Sequence, residues 1–114
     1  MHGLTVRWSL EGSGDDVLPR LREYVRDSSH ARFTGRPGLR FKTWRAREGE
    51  WFEGCYVFET AGERDRFQQE FSDKAATSPG SEIIGSAPVL VEPCEVVAVA
   101  EGGAGFAALP SYDD

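Results

Sequence analysis

The side chains able to do chemistry in this sequence lie on or near one stretch, GRPGLRFKTWRAREGEWFEGCYVFE, residues 35–59. Trp44 and Tyr56 offer an indole for stacking and a phenol whose O–H can hold a polar atom, although core packing explains both equally well. His30 is the one histidine away from the start of the chain. Its ordinary pKa suits a proton acceptor, while a solvated histidine beside Ser28 and Ser29 is the plainer reading. Arg40 and Lys42 can stabilise a developing anion by charge; the ordinary alternative is that both are solvated. Trp8, Tyr24, Phe52 and Phe58 read either as cavity lining or as core. Asp15 and Asp16 read as charge at a helix N-terminus rather than as a metal pair. Cys55 and Cys94 lack metal-ligand spacing and read as buried, reduced thiols, with a disulfide between neighbouring strands as the alternative. No nucleophile–base pair, phosphate-binding loop, dinucleotide fingerprint or zinc spacing occurs, so neither a metal nor another cofactor is implied.

These residues need a frame, and residues 35–59 read as a β-hairpin opened by Pro37-Gly38. A three-residue turn, Glu48-Gly49-Glu50, sets Arg47 against Trp51. Counting back, Arg45 faces Glu53, Thr43 faces Cys55 and Phe41 faces Val57. On the other side Ala46 faces Phe52, Trp44 faces Gly54, Lys42 faces Tyr56 and Arg40 faces Phe58. An indole over a glycine and an opposite-charge pair at Arg45 and Glu53 favour this register. Leu39, Phe41, Cys55 and Val57 then line one face, and Trp44, Phe52, Tyr56 and Phe58 the other. A sheet with one wet face alternates apolar and polar residues; this one reads as covered on both.

The 114 residues make one domain over 1–100 with a C-terminal tail over 101–114, the end of the tail expected to be mobile. A net charge of −6 argues against nucleic acid and anionic membrane surfaces as partners. No apolar run approaches a membrane span, and the N-terminus shows no signal-peptide pattern, so a cytoplasmic protein is expected. Residues 3–10 alternate as a strand, with Ser13 or Asp15 able to cap the following helix, 15 to about 33, which is expected to fray near Ser28-Ser29. Thr60-Ala61-Gly62-Glu63 matches a capping box ahead of a helix carrying Phe67 and Phe71. Residues 76–87 read as a loop with one turn at Glu82–Ile84, and 89–100 as a last strand whose Pro93 suits an edge.

The order strand, helix, strand, strand, helix, strand is the α+β, ferredoxin-like βαββαβ pattern: a four-stranded antiparallel sheet with two helices on one face. A second copy, sheet against sheet, is the simplest cover for the other face. Length, topology, Pro37-Gly38, Lys42-x-Trp44, Gly54-x-Tyr56-x-Phe58 and the helix start at Thr60 resemble the dimeric α+β barrel superfamily over residues 3–100. Within it the chain resembles the YdhR-type mono-oxygenases, relatives of the antibiotic-biosynthesis mono-oxygenases. The resemblance implies a homodimer with a pocket between sheet and helices in each subunit, holding a small hydrophobic or aromatic ligand. It further implies oxidation of a phenolic or quinol-like substrate by O₂ without metal or flavin. His30 and Tyr56 are then the catalytic candidates, and Trp8, Tyr24, Trp44, Phe52 and Phe58 bind substrate. Other members degrade haem or isomerise lactones, and a non-catalytic ligand-binding dimer is the alternative. The quinol-oxidising and haem-degrading branches use an Asn near the substrate, and this chain has none.

Overall fold

A computed structural model describes residues 1–106 and 110. The elements are β1 (His2–Ser9), α1 (Val17–Tyr24), a π-helical segment (Val25–Ser29), α2 (His30–Phe33), β2 (Leu39–Arg47), β3 (Trp51–Phe58), α3 (Ala61–Asp73), a 3₁₀ turn (Ala75–Thr77), α4 (Pro79–Ile84) and β4 (Leu90–Glu95). The strands form one antiparallel sheet in the order β2-β3-β1-β4. This is the ferredoxin-like α+β arrangement. The expectation that the tail end is mobile falls outside the described residues.

The alternation in β1 buries Leu4, Val6, Trp8 and Leu10 on the face that meets the helices. Val17, Leu21, Val25 and Phe33 close over them from the first helical stretch, and Phe67 from α3. Each fully buried aliphatic side chain here stabilises by about 1.5–3 kcal/mol relative to an exposed one.

The hairpin adopts the expected pairing from Arg47 with Trp51 back to Phe41 with Val57. Its turn closes through the Glu50 N–H donating to the Arg47 carbonyl at 2.9 Å, with Gly49 at φ +74°, a conformation that favours glycine. The register departs at Arg40. A bulge between Leu39 and Phe41 leaves Arg40 without a paired residue, and Leu39 rather than Arg40 faces Phe58. One extra residue reverses the side-chain parity beyond it. Leu39 therefore joins the core face, against the sequence expectation, and Arg40 turns out toward Glu59 at 3.8 Å.

Several local expectations are corrected. Neither Ser13 nor Asp15 caps α1; Asp16 is the N-cap, without a side-chain hydrogen bond, and the Ser13 hydroxyl donates to the Leu10 carbonyl. The helix does not fray at Ser28-Ser29 but widens there into a π turn. Thr60 caps α3 through the Glu63 N–H, yet Glu63 does not return the bond; its carboxylate fills the space beside Gly38. The turn expected at Glu82–Ile84 is the end of α4, capped by Ser78 and stopped by Gly85 at φ +91°. β4 is an edge strand that ends at Glu95 rather than near Ala100, because its last backbone contact is the Val96 N–H to the Met1 carbonyl, where β1 runs out. Cys94 is exposed and Cys55 half-buried, so they are not two buried thiols. They stand opposite Gly3 and Thr5 on the two strands flanking β1. Two strand spacings, roughly 9–10 Å, exceed disulfide reach.

The sheet face away from the helices carries an ionic strip. Glu53, 1% exposed, accepts from Arg7 Nε at 2.8 Å and Arg45 Nε at 2.6 Å. Both guanidinium groups also lie over Trp51, at 4.4 and 5.4 Å from the ring centroid. Further along, Phe106 stacks on Phe41 at 6.1 Å, so the segment after β4 covers part of this face.

Candidate functional site: an aromatic cavity

Between the sheet and the helices lies a cavity of about 580 Å³, within the range of small-molecule sites. Its floor is the core face of the hairpin: Lys42 and Trp44 from β2, and Phe52, Gly54 and Tyr56 from β3. Trp8 closes it from β1, Tyr24, Ser29, Arg32 and Phe33 from the first helical stretch, Phe67 and Phe71 from α3, and Ser78, Pro79 and Gly80 from the start of α4.

The rings are locked together. Tyr56 lies 4.7 Å from Phe67 and 5.6 Å from Phe33 between ring centroids, and Phe33 meets Trp44 edge-on at 6.1 Å. Trp8 packs on Phe52 and Phe71, and its indole N–H donates to Ser81 Oγ at 3.0 Å. Ser81 in turn donates to the Ala75 carbonyl at 2.6 Å, so α4 is held to β1 through the indole. The Trp44 N–H donates to Ser29 Oγ at 3.2 Å. Ser29 sits in the π turn and is 1% exposed. Such turns inside α-helices are frequent at functional sites.

Trp8, Tyr24, Trp44, Phe52 and Tyr56 are thus brought to one cavity. Phe58 and His30 do not line it. Phe58, 2% exposed, stacks behind Tyr56 at 6.1 Å and supports that ring. His30 packs on Trp44 at 5.8 Å between ring centroids. The residue of that helical stretch whose hydroxyl reaches Trp44 is its neighbour Ser29, passed over in the sequence because serine in a helix carries no distinguishing pattern. Burial, reinforced by the nearby Tyr24, pushes the Tyr56 phenol well above its ordinary pKa. It stays protonated, with its O–H able to donate.

Lys42 overturns two expectations. Its side chain, not the Trp44 indole, occupies the space over Gly54: a Cβ there would meet Lys42 Cε at 3.2 Å and the Tyr56 hydroxyl at 3.3 Å. Glycine at this position makes room for the cation. Nor is Lys42 simply solvated. Its Nζ stands 3.7 Å from the Phe33 ring centroid and 4.4 Å from those of Trp44 and Tyr56. The rings offset part of the lost hydration. Even so, burial first, then Arg32 and Arg36, lower its pKa well below 10.5.

No family model and no curated protein matches this chain. The cavity's chemistry therefore rests on its own geometry. Among the described residues no cluster of His, Cys, Asp and Glu is arranged to hold a metal ion, and no helix is long and apolar enough to cross a membrane.

The lowered Lys42 pKa sets a stability prediction. At low pH both the folded and the unfolded chain hold the lysine proton, and folding bears the whole cost of burying the charge. As pH rises from the folded value towards 10.5, only the unfolded chain keeps the proton, and the cost disappears. Lys42→Met should therefore raise stability by about 1 kcal/mol, a few degrees in melting temperature. The gain should be largest on the low-pH side and shrink toward pH 10.5 in thermal melts. A gain that grows with pH would reverse the assignment.

Proposed function

We propose that the chain binds a planar aromatic small molecule in this cavity and oxidises it with O₂ as a cofactor-independent mono-oxygenase. The single observation that carries the reading is the cavity of about 580 Å³ walled by Trp8, Phe33, Trp44 and Tyr56. Ring faces stack a flat substrate, and an aromatic wall beside the reacting carbon limits the water that would quench an electron-rich carbanion. The resemblance of the hairpin to the YdhR-type mono-oxygenases supports the same chemistry.

For an anthrone-type substrate the reaction balances without a further reductant. The substrate methylene gives up two C–H bonds and four electrons to O₂; one oxygen becomes the new carbonyl and the other leaves as water. The neutral Tyr56 hydroxyl holds the substrate oxygen and stabilises the enolate by donation. The Asn used by characterised relatives is absent, and Tyr56 with Lys42 takes that place in this reading.

The protein acts as a cytoplasmic homodimer in this proposal, with the Phe41, Trp51, Cys55 and Val57 face turned toward the second copy. A second reading, a ligand-binding protein without turnover, uses the same cavity.

Oxygen uptake by metal-free protein with anthrone and naphthohydroquinone tests the proposal. Uptake well above buffer, reduced at least tenfold in both Trp44→Ala and Tyr56→Phe, is the expected result. Binding of these compounds without uptake would leave the second reading in its place.

A further inference from the structure

Lys42 is one of three cations at the same end of the cavity. Arg36 lies over Phe33 and Phe67, at 5.5 and 5.0 Å from the ring centroids. Arg32 lies over Phe33 at 5.3 Å, and its Nη2 donates to the Tyr24 hydroxyl at 2.6 Å. Arg32 is exposed, Arg36 and Lys42 are half-buried, and Lys42 reaches between the rings. The described ion pairs include none of the three. Glu70 and Asp73 also line the cavity from exposed positions on α3, but neither is paired with these cations.

Elsewhere several basic residues are tied to carboxylates: Arg7 and Arg45 to Glu53, Arg47 to Glu50, Arg64 to Asp65. Arg32, Arg36 and Lys42 gather three positive charges in no described ion pair, one of them inside an aromatic box. Like charges held together in an apolar setting repel, and an anion entering between them relieves both the repulsion and the lost hydration. The net charge of −6 gives no long-range attraction for such an anion, so selectivity must come from the cluster itself.

From this arrangement we infer that the cavity's natural ligand is an aromatic carboxylic acid, its rings stacked among Phe33, Trp44 and Tyr56 and its carboxylate held by Lys42 and Arg36, with Arg32 at the mouth. The inference rests on the cavity being a ligand site, as proposed above, and adds the charge of the ligand to it. Lys42 acts here as a recognition group.

Titration calorimetry with 2-naphthoate and its neutral isostere 2-naphthamide tests it, on the full chain at low salt. Naphthoate should bind at least tenfold tighter than naphthamide. Lys42→Met should remove most of that preference by weakening naphthoate far more than naphthamide, whose remaining affinity reports that the cavity is intact; Arg36→Gln should remove part of it. Equal affinities for the two compounds in the unsubstituted protein would overturn the inference and leave the cavity reading standing. Failure of both compounds to bind would overturn the two together. Should Lys42→Met weaken both compounds equally, the lysine is a packing element and the inference falls.

Discussion

Replacing both Arg7 and Arg45 by Met will cost the protein about 3 kcal/mol at neutral pH. Glu53 is the reason. Its carboxylate sits on central strand β3, 1% exposed, with Arg7 and Arg45 as its guanidinium partners. Burial by itself would push the carboxyl pKa up; the hydrogen bonds from Arg7 and Arg45 more than offset this and hold it below 4.5. The pair of substitutions leaves a carboxylate in the sheet with neither partner, a far larger penalty than the loss of exposed ion pairs. Adding Glu53→Leu to the same background should recover most of the deficit, since an apolar side chain there needs no partner. Urea unfolding of the three proteins decides it. A deficit under about 1 kcal/mol would mean that water replaces the arginines without difficulty.

The pH dependence of this site has a definite sign. In the unsubstituted protein the folded carboxyl pKa is depressed, so the stabilisation from Glu53 is complete above 4.5 and is lost as pH falls through the lower, folded value. In the doubly substituted protein burial acts unopposed and the folded pKa rises. The deficit should then narrow as the medium is acidified and the buried group takes up its proton.

Trp8→Ala should be as damaging, about 3–5 kcal/mol, by a different route. The indole is 5% exposed, packs on Phe52 and Phe71, and bonds Ser81. Trp8→Phe separates its volume from its hydrogen bond. Ser81 keeps the Ala75 carbonyl as acceptor and Ser78 as donor, so losing the indole N–H strands no buried group. Phe should cost only about 1–2 kcal/mol, chiefly for the smaller ring. Guanidinium unfolding of both variants, with limited proteolysis around α4, is the check. If Phe proves as costly as Ala, the hydrogen bond to α4 outweighs the packing.

The hairpin was legible because several local signals agreed: a glycine at the middle of the turn, Arg45 opposite Glu53, and alternation on both strands. The bulge at Arg40 was not, since nothing in Leu39-Arg40-Phe41 marks an extra residue, and parity reasoning carried Leu39 onto the wrong face. Lys42 departs from the solvated expectation although the register puts it opposite Tyr56 and beside Trp44. A charged residue at an aromatic core position is the signal, and it outweighs the general preference of lysine for water. α4 could have been found from Ser78-Pro79 and Gly85, a capping residue, a first-turn proline and a terminating glycine. The shortness of β4 could not, because it depends on where a strand distant in sequence ends. The site followed the same division. Aromatic residues on known strand faces converge as alternation requires, while Ser29 and Arg32 depend on a helical phase that periodicity alone does not give, and Arg36 on the path of the loop after α2.

That phase comes from the π turn at Val25–Ser29. A turn of this kind amounts to one residue inserted into an otherwise regular helix, and each residue of α-helix advances the side chain by about 100° around the axis. Val17, Leu21, Val25 and Phe33 share the core cluster at multiples of four residues, and each step of four overshoots a full turn by about 40°; the extra residue in the π turn absorbs that drift and keeps Phe33, with Arg32 beside it, turned to the cavity. Loss of one exposed residue such as Asp27 would restore an ordinary helix at little local cost. It would also swing Arg32 and Phe33 away from Lys42. The same scaffold thus lies one codon from a cavity without its cationic end, and the ligand class of such a domain can change by a single-residue deletion with its sheet untouched.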